Sequence, residues 1–366
     1  MKQRIDPARF VKKALGPATD AYEVINAFSD FQLAPALEAN ISKLGFTSPL
    51  PIQDQAIPHA LKGKDIIGLA NTGTGKTAAF LIPLVQKQLK SRHLTLILAP
   101  TRELALQIED DFRKLAATHG LYSALCVGGQ SMWKQRHALA RKPQFVIGTP
   151  GRLKDLIDRR LLRLEQCHSL VLDEVDRMAD MGFINDIKHI LGQLPAERQS
   201  LFFTATVSPS IETIIRTFLK DPVKLSVVTG ETADGIEQDI IKVSPGENKL
   251  DKLHQVLSQQ QLTKTLVFGE TKHGVEKINR ALNDRGIPSV SIHGNKSQPQ
   301  RQRALLQFRS GDASVMVATD VAARGLDIKD ISHVINYDTP QTYNDYIHRI
   351  GRAGRAGNKG YALTFV

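Results

Sequence analysis

The segment of this chain with the clearest chemistry is a glycine-rich loop before a predicted helix. It reads Ala-Asn-Thr-Gly-Thr-Gly-Lys-Thr from Ala70 to Thr77 and follows a strand-length apolar run. Glycines let several backbone N–H groups face one anion at the positive end of a helix dipole, so the loop resembles a Walker A motif rather than a glycine turn with an exposed lysine. Lys76 is predicted to bind nucleotide phosphates and Thr77 to ligate Mg²⁺. The residues predicted to surround the phosphates are Thr72, Gly73, Thr74, Gly75, Lys76 and Thr77.

A cluster of carboxylates follows another apolar run. Asp173, Glu174 and Asp176 come directly after Leu170–Leu172. A carboxylate at the carboxyl end of a parallel strand, facing a phosphate loop, has the position of a Walker B aspartate. Asp173 is therefore predicted to hold Mg²⁺, partly through water, and Glu174 to orient or deprotonate the attacking water. An acidic cluster is by itself also typical of a helix N-terminus, and the order of the two motifs favours the catalytic interpretation.

An arginine-rich segment lies near the end of the chain, at His348–Arg355. Arg352 and Arg355 are three residues apart and have glycines around them. An arginine delivered to a developing γ-phosphate charge can raise the hydrolysis rate by about 10³–10⁵. A surface basic patch, or contact of the same residues with nucleic-acid phosphates, explains the segment equally well when it is taken alone.

The elements that must position these residues alternate between short apolar runs and longer amphipathic stretches. Such alternation predicts βαβ units and parallel sheets buried on both faces. Polar and glycine residues at 229–235 interrupt the pattern and predict a linker between two α/β domains of similar style. The runs predicted as strands are 65–70, 94–99, 123–127, 145–148, 169–172, 200–203, 265–268, 289–292, 314–318 and 333–336.

The composition of the chain favours polyanionic partners. Its 366 residues include 48 basic and 37 acidic ones, a net charge of +11, which is compatible with nucleic acid or an acidic membrane surface. The two cysteines, Cys126 and Cys167, stand alone in apolar runs and predict small core residues. Neither a secretory signal nor a transmembrane run is evident, so a cytoplasmic protein is expected. The terminal run 361–366 suggests that the natural protein continues further.

The order of motifs resembles that of DEAD-box ATP-dependent RNA helicases of superfamily 2, of the bacterial type. The resemblance runs from Phe28 to Val366, more than nine-tenths of the chain. It implies two tandem RecA-like domains at 28–228 and 236–366, joined by the linker 229–235 and preceded by an N-terminal extension, 1–27. The segments that carry it are Gly45–Gln53, Ala70–Thr77, Pro100–Leu104, Gly128–Gly129, Thr149–Arg152, Asp173–Asp176, Thr204–Thr206, Gln298–Arg301, Ala318–Ile328 and His348–Arg355.

The resemblance assigns an adenine site and a coupling network. It implies that Gln53 reads adenine through its amide, which offers both a donor and an acceptor, and that Phe28 stacks on the same base. Gln53 could instead be a helix-capping amide. Asp327 is implied to hold the ribose of ATP, beside the arginines Arg352 and Arg355. The residues implied to link the ATP site to the RNA face are Asp176, Thr204 and Thr206.

The resemblance also implies RNA contacts on loops of both domains. Threonines and glycines there would bring hydroxyl and backbone N–H groups against phosphates, which fixes position without reading sequence. Arg102 could alternatively be a salt-bridge partner of a nearby glutamate. The implied contacts are Arg102, Gly129, Thr149, Arg152, Thr271, Gly294, Arg301, Thr319 and Arg324.

Three residues depart from the family pattern. Val175 stands where the family has Ala, and Thr204 replaces the usual Ser while keeping the hydroxyl. Leu50 occupies a position that usually holds Ser or Thr, so a polar contact back to the phosphate loop is expected to be missing.

These features together predict a monomeric RNA-stimulated ATPase that uses ATP and Mg²⁺ and has no membrane partner. Local opening of short RNA duplexes, or displacement of bound proteins, is what the resemblance implies. A DNA-acting helicase of the same superfamily and a catalytically silent RNA-binding scaffold are the alternatives, and ATPase assays with RNA and with DNA separate the three.

Overall fold

The computed structural model describes residues 5–12, 22–71, 73–227, 236–259, 264–323, 331–354 and 360–366. The chain divides into two compact units. The first unit is Ala21–Val228, and the second combines Met1–Asp20 with Thr229–Val366. The predicted linker at 229–235 lies outside the described residues.

The first unit is built on a sheet of seven parallel strands in the order β3-β4-β2-β5-β6-β1-β7. Its central strands are buried along almost their whole length and carry apolar runs such as Leu170–Leu172 and Leu201–Phe203, as expected of a parallel sheet covered on both faces. The strands are β1 Ile66–Leu69, β2 Leu94–Leu98, β3 Ser123–Cys126, β4 Phe145–Gly148, β5 Cys167–Asp173, β6 Gln199–Thr204 and β7 Val223–Ser226.

Helices cover both faces of this sheet and form two hydrophobic clusters. Phe80 and Phe112 belong to one cluster, and Leu153 and Ile187 belong to the other. Several of the helices begin at a proline, whose fixed φ suits the first helical position. The helices are α1 Pro35–Lys43, α2 Pro51–Leu61, α3 Lys76–Lys90, α4 Arg102–Leu115, α5 Met132–Ala140, α6 Pro150–Asp158, α7 Val175–Asp180, α8 Ile184–Leu191 and α9 Pro209–Phe218, with a 3₁₀ turn at Phe28–Phe31.

The second unit repeats this architecture with six parallel strands in the order β10-β11-β9-β12-β13-β8. The prediction of parallel-sheet α/β domains is thus confirmed. Its strands are β8 Ile236–Ile241, β9 Thr265–Phe268, β10 Ser289–Ile292, β11 Val315–Ala318, β12 His333–Asn336 and β13 Gly360–Phe365. Its helices are α10 Lys249–Gln259, α11 Lys272–Asp284, α12 Gln298–Ser310, α13 Asp320–Ala323 and α14 Tyr343–Ile350.

Both cysteines are core residues of the first unit, as their apolar runs predicted. Cys126 and Cys167 are free and fully buried on β3 and β5, and burial raises the pKa of each thiol to about 12. Within the described parts of the chain, no helix combines the length and apolar character needed to cross a membrane.

Residues 5–12 pack on the second unit, although they precede the first unit in the chain. Phe10 is fully buried, and its ring centroid lies 4.7 Å from that of Tyr346. The Arg9 guanidinium lies 4.0 Å from the Tyr343 ring centroid. Lys12 forms an antiparallel bridge with Gln238 through two backbone hydrogen bonds of 3.0 and 2.8 Å. This segment therefore contributes to the core of the second unit.

Phe10→Ala is expected to destabilise the second unit by about 3–5 kcal/mol, because it removes a buried aromatic ring from a packed core. The only tryptophan of the chain, Trp133, lies in the first unit, so its fluorescence reports that unit, whereas far-UV circular dichroism reports both. In urea, the dichroism of the variant should decrease before its tryptophan signal changes. Val11→Ala, at a half-exposed neighbouring position, is the matched control. Identical unfolding curves for the two variants would contradict the docking of Phe10.

Candidate functional site

Adjacent strands bring the residues of the predicted phosphate site together. In the first sheet, β5, β6 and β1 are neighbours, and the carboxyl ends of parallel strands lie at the same edge. The phosphate loop Ala70–Thr77 follows β1, the carboxylates Asp173–Asp176 begin at the last residue of β5, and Thr204–Thr206 begins at the last residue of β6. Motifs that are far apart in the sequence therefore converge at one edge of the sheet.

The phosphate loop turns into α3 through a glycine with a left-handed backbone. Gly75 has a φ of 88°, and a Cβ atom there would lie 2.5 Å from Nε2 of Gln53, so no other residue fits without displacement. Lys76 is buried, and its Nζ donates to the carbonyl oxygen of Ala70 at 3.0 Å. The same Nζ lies 4.0 Å from Oδ1 of Asp173. The predicted phosphate lysine and the predicted Mg²⁺ ligand are thus side by side, whereas Thr72 lies outside the described residues.

Asp173 has the properties of a ligand for a hard cation. It is buried, and its Oδ1 has no hydrogen-bond partner among the described residues. Burial raises the pKa of this carboxyl to about 6; the charge of Lys76 opposes the rise and that of Glu174 adds to it. A buried carboxylate oxygen without a donor suits Mg²⁺, which takes one or two carboxylates and completes its shell with phosphates and water. The donor set therefore fits the implied metal.

Glu174 is held by a buried ion pair that the sequence interpretation did not include. Its Oε2 lies 2.5 Å from Nη1 of Arg177, and both side chains are almost fully buried. The backbone of Glu174 is left-handed, with φ and ψ of 55°, a conformation that costs a non-glycine residue about 1–3 kcal/mol. Because Arg177 is three residues further along, on the first turn of α7, helical spacing was the signal that could have identified it.

Asp176 connects the ends of β5 and β6. Its Oδ2 accepts hydrogen bonds from the backbone N–H groups of Ala205 and Thr206, each at 3.1 Å, and from the Thr206 hydroxyl at 3.3 Å. The Thr204 hydroxyl accepts from the Asp176 N–H at 3.3 Å and donates to the Thr206 carbonyl at 2.7 Å. The structure thus brings the predicted coupling residues together, and Thr204 uses the hydroxyl that it shares with the usual serine.

The Gln53 side chain contacts both the start of α2 and the phosphate loop. Its Oε1 accepts from the Leu50 N–H at 2.9 Å, which is the helix-capping arrangement weighed above. Its Nε2 donates to the Gly75 carbonyl at 3.1 Å, so the motif contacts the phosphate loop through Gln53. The Leu50 side chain packs against the same glycine. Recognition of adenine by Gln53 stays a prediction.

The segment that carries Phe28 is anchored by Asp54, a second residue that the sequence interpretation missed. The Asp54 carboxylate accepts hydrogen bonds from the Tyr22 hydroxyl, the Ile25 N–H, and both the backbone and side-chain amides of Asn26, at 2.6–3.1 Å. Burial raises the pKa of this carboxyl, but these hydrogen bonds outweigh burial and leave it below its usual value. Phe28 follows directly and packs nearly parallel to Phe46 at 6.2 Å between centroids. Its predicted stacking on adenine is untested.

A second group of motifs lies at the other half of the same edge, after the adjacent strands β2, β4 and β3. The guanidinium of Arg102 lies against Gly128 and Gly129, and among the described residues it makes no ion pair. Arg152 donates to the carbonyl of Gln130 at 3.4 Å, next to the same glycines. Thr149 is the N-cap residue of the helix that carries Arg152. The predicted RNA contacts of the first unit thus form one cluster.

The second unit repeats this arrangement at the ends of β9, β10 and β11. Thr271 caps α11 by accepting from the Gly274 N–H at 3.0 Å, Gly294 follows β10 and lies near Lys272, and Thr319 follows β11. Arg301 lies in the first turn of α12. The adjacent strand order β10-β11-β9 places these residues at neighbouring positions, whereas Arg324 lies outside the described residues.

Arg352 follows α14, a helix fixed by another arginine that the sequence interpretation missed. Arg349 is buried and pairs with both carboxylate oxygens of Asp320 at 2.6 and 2.7 Å. It also donates to the Asn336 side chain at 3.2 Å and the Asp338 carbonyl at 2.6 Å. This network ties α14 to β12 and α13 and thereby sets the position of Arg352. Arg355 and Asp327 lie outside the described residues.

Comparison with known proteins shows the family. The DEAD/DEAH box helicase model matches residues 50–214, and the helicase conserved C-terminal domain matches 248–357. The chain is 46% identical to ATP-dependent RNA helicase CshA of Listeria monocytogenes, covering 93% of this chain and 66% of that one. It is 44% identical to DEAD-box ATP-dependent RNA helicase CshA of Bacillus subtilis, covering 93% of this chain and 69% of the relative. The chain belongs to the DEAD-box ATP-dependent RNA helicase family.

Solved structures of this family agree with the fold. S. cerevisiae Dbp5 bound to RNA and ADP BeF3 matches with a TM-score of 0.81 and 29% identity, over 93% of this chain and 90% of that chain. A DEAD box protein from Methanococcus jannaschii matches with a TM-score of 0.55 and 35% identity, over 93% of each chain. The predictions of RecA-like domains and of a bacterial-type DEAD-box helicase are confirmed.

Asp54→Asn is expected to lower the free energy of unfolding of this chain at neutral pH by about 1.5–3 kcal/mol, because the new amide nitrogen faces a backbone N–H donor at either oxygen position, that of Ile25 or that of Asn26. A carboxylate with a lowered pKa stabilises the fold above its unfolded-state pKa, and that contribution is lost as pH falls through the folded-state pKa. The difference from the unmodified chain should therefore shrink below about pH 4.

Urea titrations followed by Trp133 fluorescence at several pH values would measure this difference. Asp110→Asn removes an exposed carboxylate whose ion pair in the described part of the chain, with Lys114, lies on the surface of α4, and it should change stability little at any pH. A difference for Asp54→Asn that stays constant with pH would contradict the anchoring role.

Proposed function

We propose that this chain is an RNA-dependent ATPase that locally separates short RNA duplexes or displaces proteins bound to RNA. The observation that carries the proposal is the convergence of Lys76, Asp173 and Glu174 at one edge of the first sheet. The chain spans about two thirds of the length of the CshA relatives, 66% for Listeria monocytogenes and 69% for Bacillus subtilis, so their names alone do not assign its activity.

The residues at this edge divide the chemistry of hydrolysis among them. Lys76 would exchange its bond with the Ala70 carbonyl for the β- and γ-phosphates of ATP. Asp173 and Thr77 would hold Mg²⁺, which supplies positive charge to the phosphate oxygens. Glu174, held by Arg177, would orient the attacking water or accept its proton.

The second unit would supply the remaining contacts. Arg352 and Arg355 would stabilise the charge that develops on the γ-phosphate, and Asp327 would hold the ribose. The proposed RNA contacts are likewise divided between the units. Because ATP and RNA would then favour the same state of the chain, each would raise the apparent affinity of the other.

The coupling network gives this linkage a route within the first unit. Asp176 accepts hydrogen bonds from Thr206 through Oδ2 and from the Arg177 N–H through Oδ1 at 3.0 Å, and Arg177 pairs with Glu174, so Arg177 would connect the end of β6 to the proposed catalytic carboxylate. Loss of the γ-phosphate after hydrolysis would remove contacts of Lys76 and Arg352, and RNA would be released. The proposed reaction therefore separates RNA strands locally and does not require long-range translocation along the RNA.

Glu174→Gln should bind ATP and RNA but hydrolyse ATP about 10²–10⁴-fold more slowly, because an amide cannot accept the proton of water. Steady-state phosphate release with saturating RNA measures the effect, and parallel reactions with single-stranded DNA test for a DNA-acting enzyme. Glu212→Gln makes the same chemical change at an exposed position on α9 and should keep full turnover. Near-normal turnover of Glu174→Gln would remove Glu174 from the mechanism. A lack of ATPase activity in the unmodified chain with every RNA tested would favour a binding scaffold.

Gln53→Ala should weaken the preference for ATP over GTP, because the variant offers adenine neither a donor nor an acceptor. Gln53→Glu keeps the oxygen that caps the Leu50 N–H but loses the Nε2 donor and its bond to the Gly75 carbonyl, so it separates the capping role from the roles of Nε2. If base recognition depends on the amide, both variants lose nucleotide preference, as measured from kcat/KM with each nucleotide. If Gln53 is only structural, Gln53→Glu keeps the preference for ATP.

A further inference from the structure

An exposed row of aromatic and basic side chains lies on the outer side of α5 in the first unit. We call Tyr122, Trp133, His137 and Arg141 the α5 stripe. Trp133 is 69% exposed, and its ring stacks on that of His137 with an interplanar angle of 10° and 5.6 Å between centroids. The Arg141 guanidinium lies 5.0 Å from the ring centroid of Tyr122, which is 50% exposed.

The stripe is continuous because of helical spacing. Positions 133, 137 and 141 are four residues apart and therefore share one face, about 12 Å long at 1.5 Å per residue. The opposite face of α5 is anchored by Gln135, which is buried and donates to the Val127 carbonyl at 2.9 Å. The helix is thus held in an orientation that keeps the chain's only tryptophan in solvent, where so large an apolar side chain is unusual.

The charge around the stripe has one sign. From residue 112 to residue 154 the sequence contains no aspartate or glutamate but eight lysines and arginines. Four of these, Arg113, Lys114, Arg152 and Lys154, pair with carboxylates outside that segment. For the other four, which all lie on or next to α5, no ion pair is found among the described residues: Lys134, Arg136, Arg141 and Lys142. Their positive charge is available to a polyanion.

The stripe begins where the predicted RNA contacts of the first unit end. Gly129 and Gln130 precede the N-cap Ser131, and the Gln130 carbonyl accepts from Arg152 at 3.4 Å and from Gln135 at 3.5 Å. The loop that carries Gly129 and the helix that carries Trp133 are therefore tied together. An RNA strand bound at this edge of the sheet would therefore lie directly beside α5.

We propose that the α5 stripe is an accessory site for single-stranded RNA, in which a base stacks on Trp133 and the neighbouring phosphates contact Lys134, Arg136 and Arg141. Flat aromatic faces beside arginines are the combination that binds single strands without sequence preference. The inference rests on the proposed RNA binding and extends it beyond the sheet edge. An acidic protein segment would match the charge but would leave the exposed indole face without a stacking partner.

The single tryptophan gives a direct test, because all tryptophan fluorescence of the full chain comes from Trp133. Titration with oligouridylate at low salt, without nucleotide, should quench this fluorescence, and added salt should reverse the quenching. An abasic ribose-phosphate oligomer of equal length tests whether the bases are required, and polyglutamate tests for an acidic peptide. Equal quenching by any of these polyanions, or no quenching by RNA, would overturn the proposal.

Substitution tests the same site by affinity. Trp133→Ala should weaken RNA binding by about fivefold or more, and Trp133→Phe should restore most of the loss. The affinity is measured as the RNA concentration that half-activates the ATPase. The maximal rate with saturating RNA should not change. Leu306→Ala, at a 66% exposed apolar position on α12, is the matched control and should bind RNA normally.

Unchanged RNA affinity in Trp133→Ala would overturn the accessory site while leaving the proposed ATPase intact. Conversely, quenching by RNA in a chain that hydrolyses no ATP would support the site and contradict the proposed function. The accessory site and the proposed ATPase activity can therefore be contradicted independently.

Discussion

A strand in a parallel sheet can present residues to a shared site only where the chain leaves its carboxyl end, and all strands of the sheet leave at the same edge. In this chain the motifs of the first unit from Ala70 onwards follow that constraint, whereas Gly45–Gln53 precedes β1 and reaches the phosphate loop through the Gln53 side chain. Because β5, β6 and β1 are neighbours, the phosphate loop meets the carboxylates; because β3, β4 and β2 are neighbours, the glycine pair meets Arg102. The strand order thus divides one edge between the phosphate-loop cluster and the second cluster of motifs.

Burial of charge is the second determinant of this site. Lys76, Asp173, Glu174 and Arg177 are all nearly inaccessible, so each charge depends on its neighbours for stabilisation. Asp173 is the least satisfied of the four, since its Oδ1 accepts no hydrogen bond from the described residues and burial raises its pKa to about 6. A buried carboxylate oxygen of this kind is suited to receive positive charge from a ligand.

The sequence predicted well whatever depends on local spacing. The loop around Lys76, the carboxylates after β5 and the two α/β units follow from short patterns and from the rule for parallel strands. Gln53 shows a limit of this reasoning, because one amide both caps α2 and contacts Gly75, and a short motif does not separate the two roles. Helical spacing could have predicted the pairing of Arg177 with Glu174, but Arg177 belongs to none of the motifs.

Contacts between distant segments could not be predicted in this way. Asp54 binds residues that precede it by about thirty positions, and Arg349 joins three separate elements. No periodicity links Phe10 to Tyr346, because a lone phenylalanine in a polar segment gives no indication of its partner.

The docking of residues 5–12 on the second unit also changes the order in which the two units are completed along the chain. Since the second unit contains both that segment and residues 236–366, the first unit is an insertion within the second, and the chain passes between them twice. A ribosome synthesises the inserted unit completely before the surrounding one can close. Phe10 is therefore synthesised more than three hundred residues before Tyr346, its ring partner, and the whole first unit is made in between. During synthesis the N-terminal segment can therefore take its place in the core of the second unit only after α14 has been made.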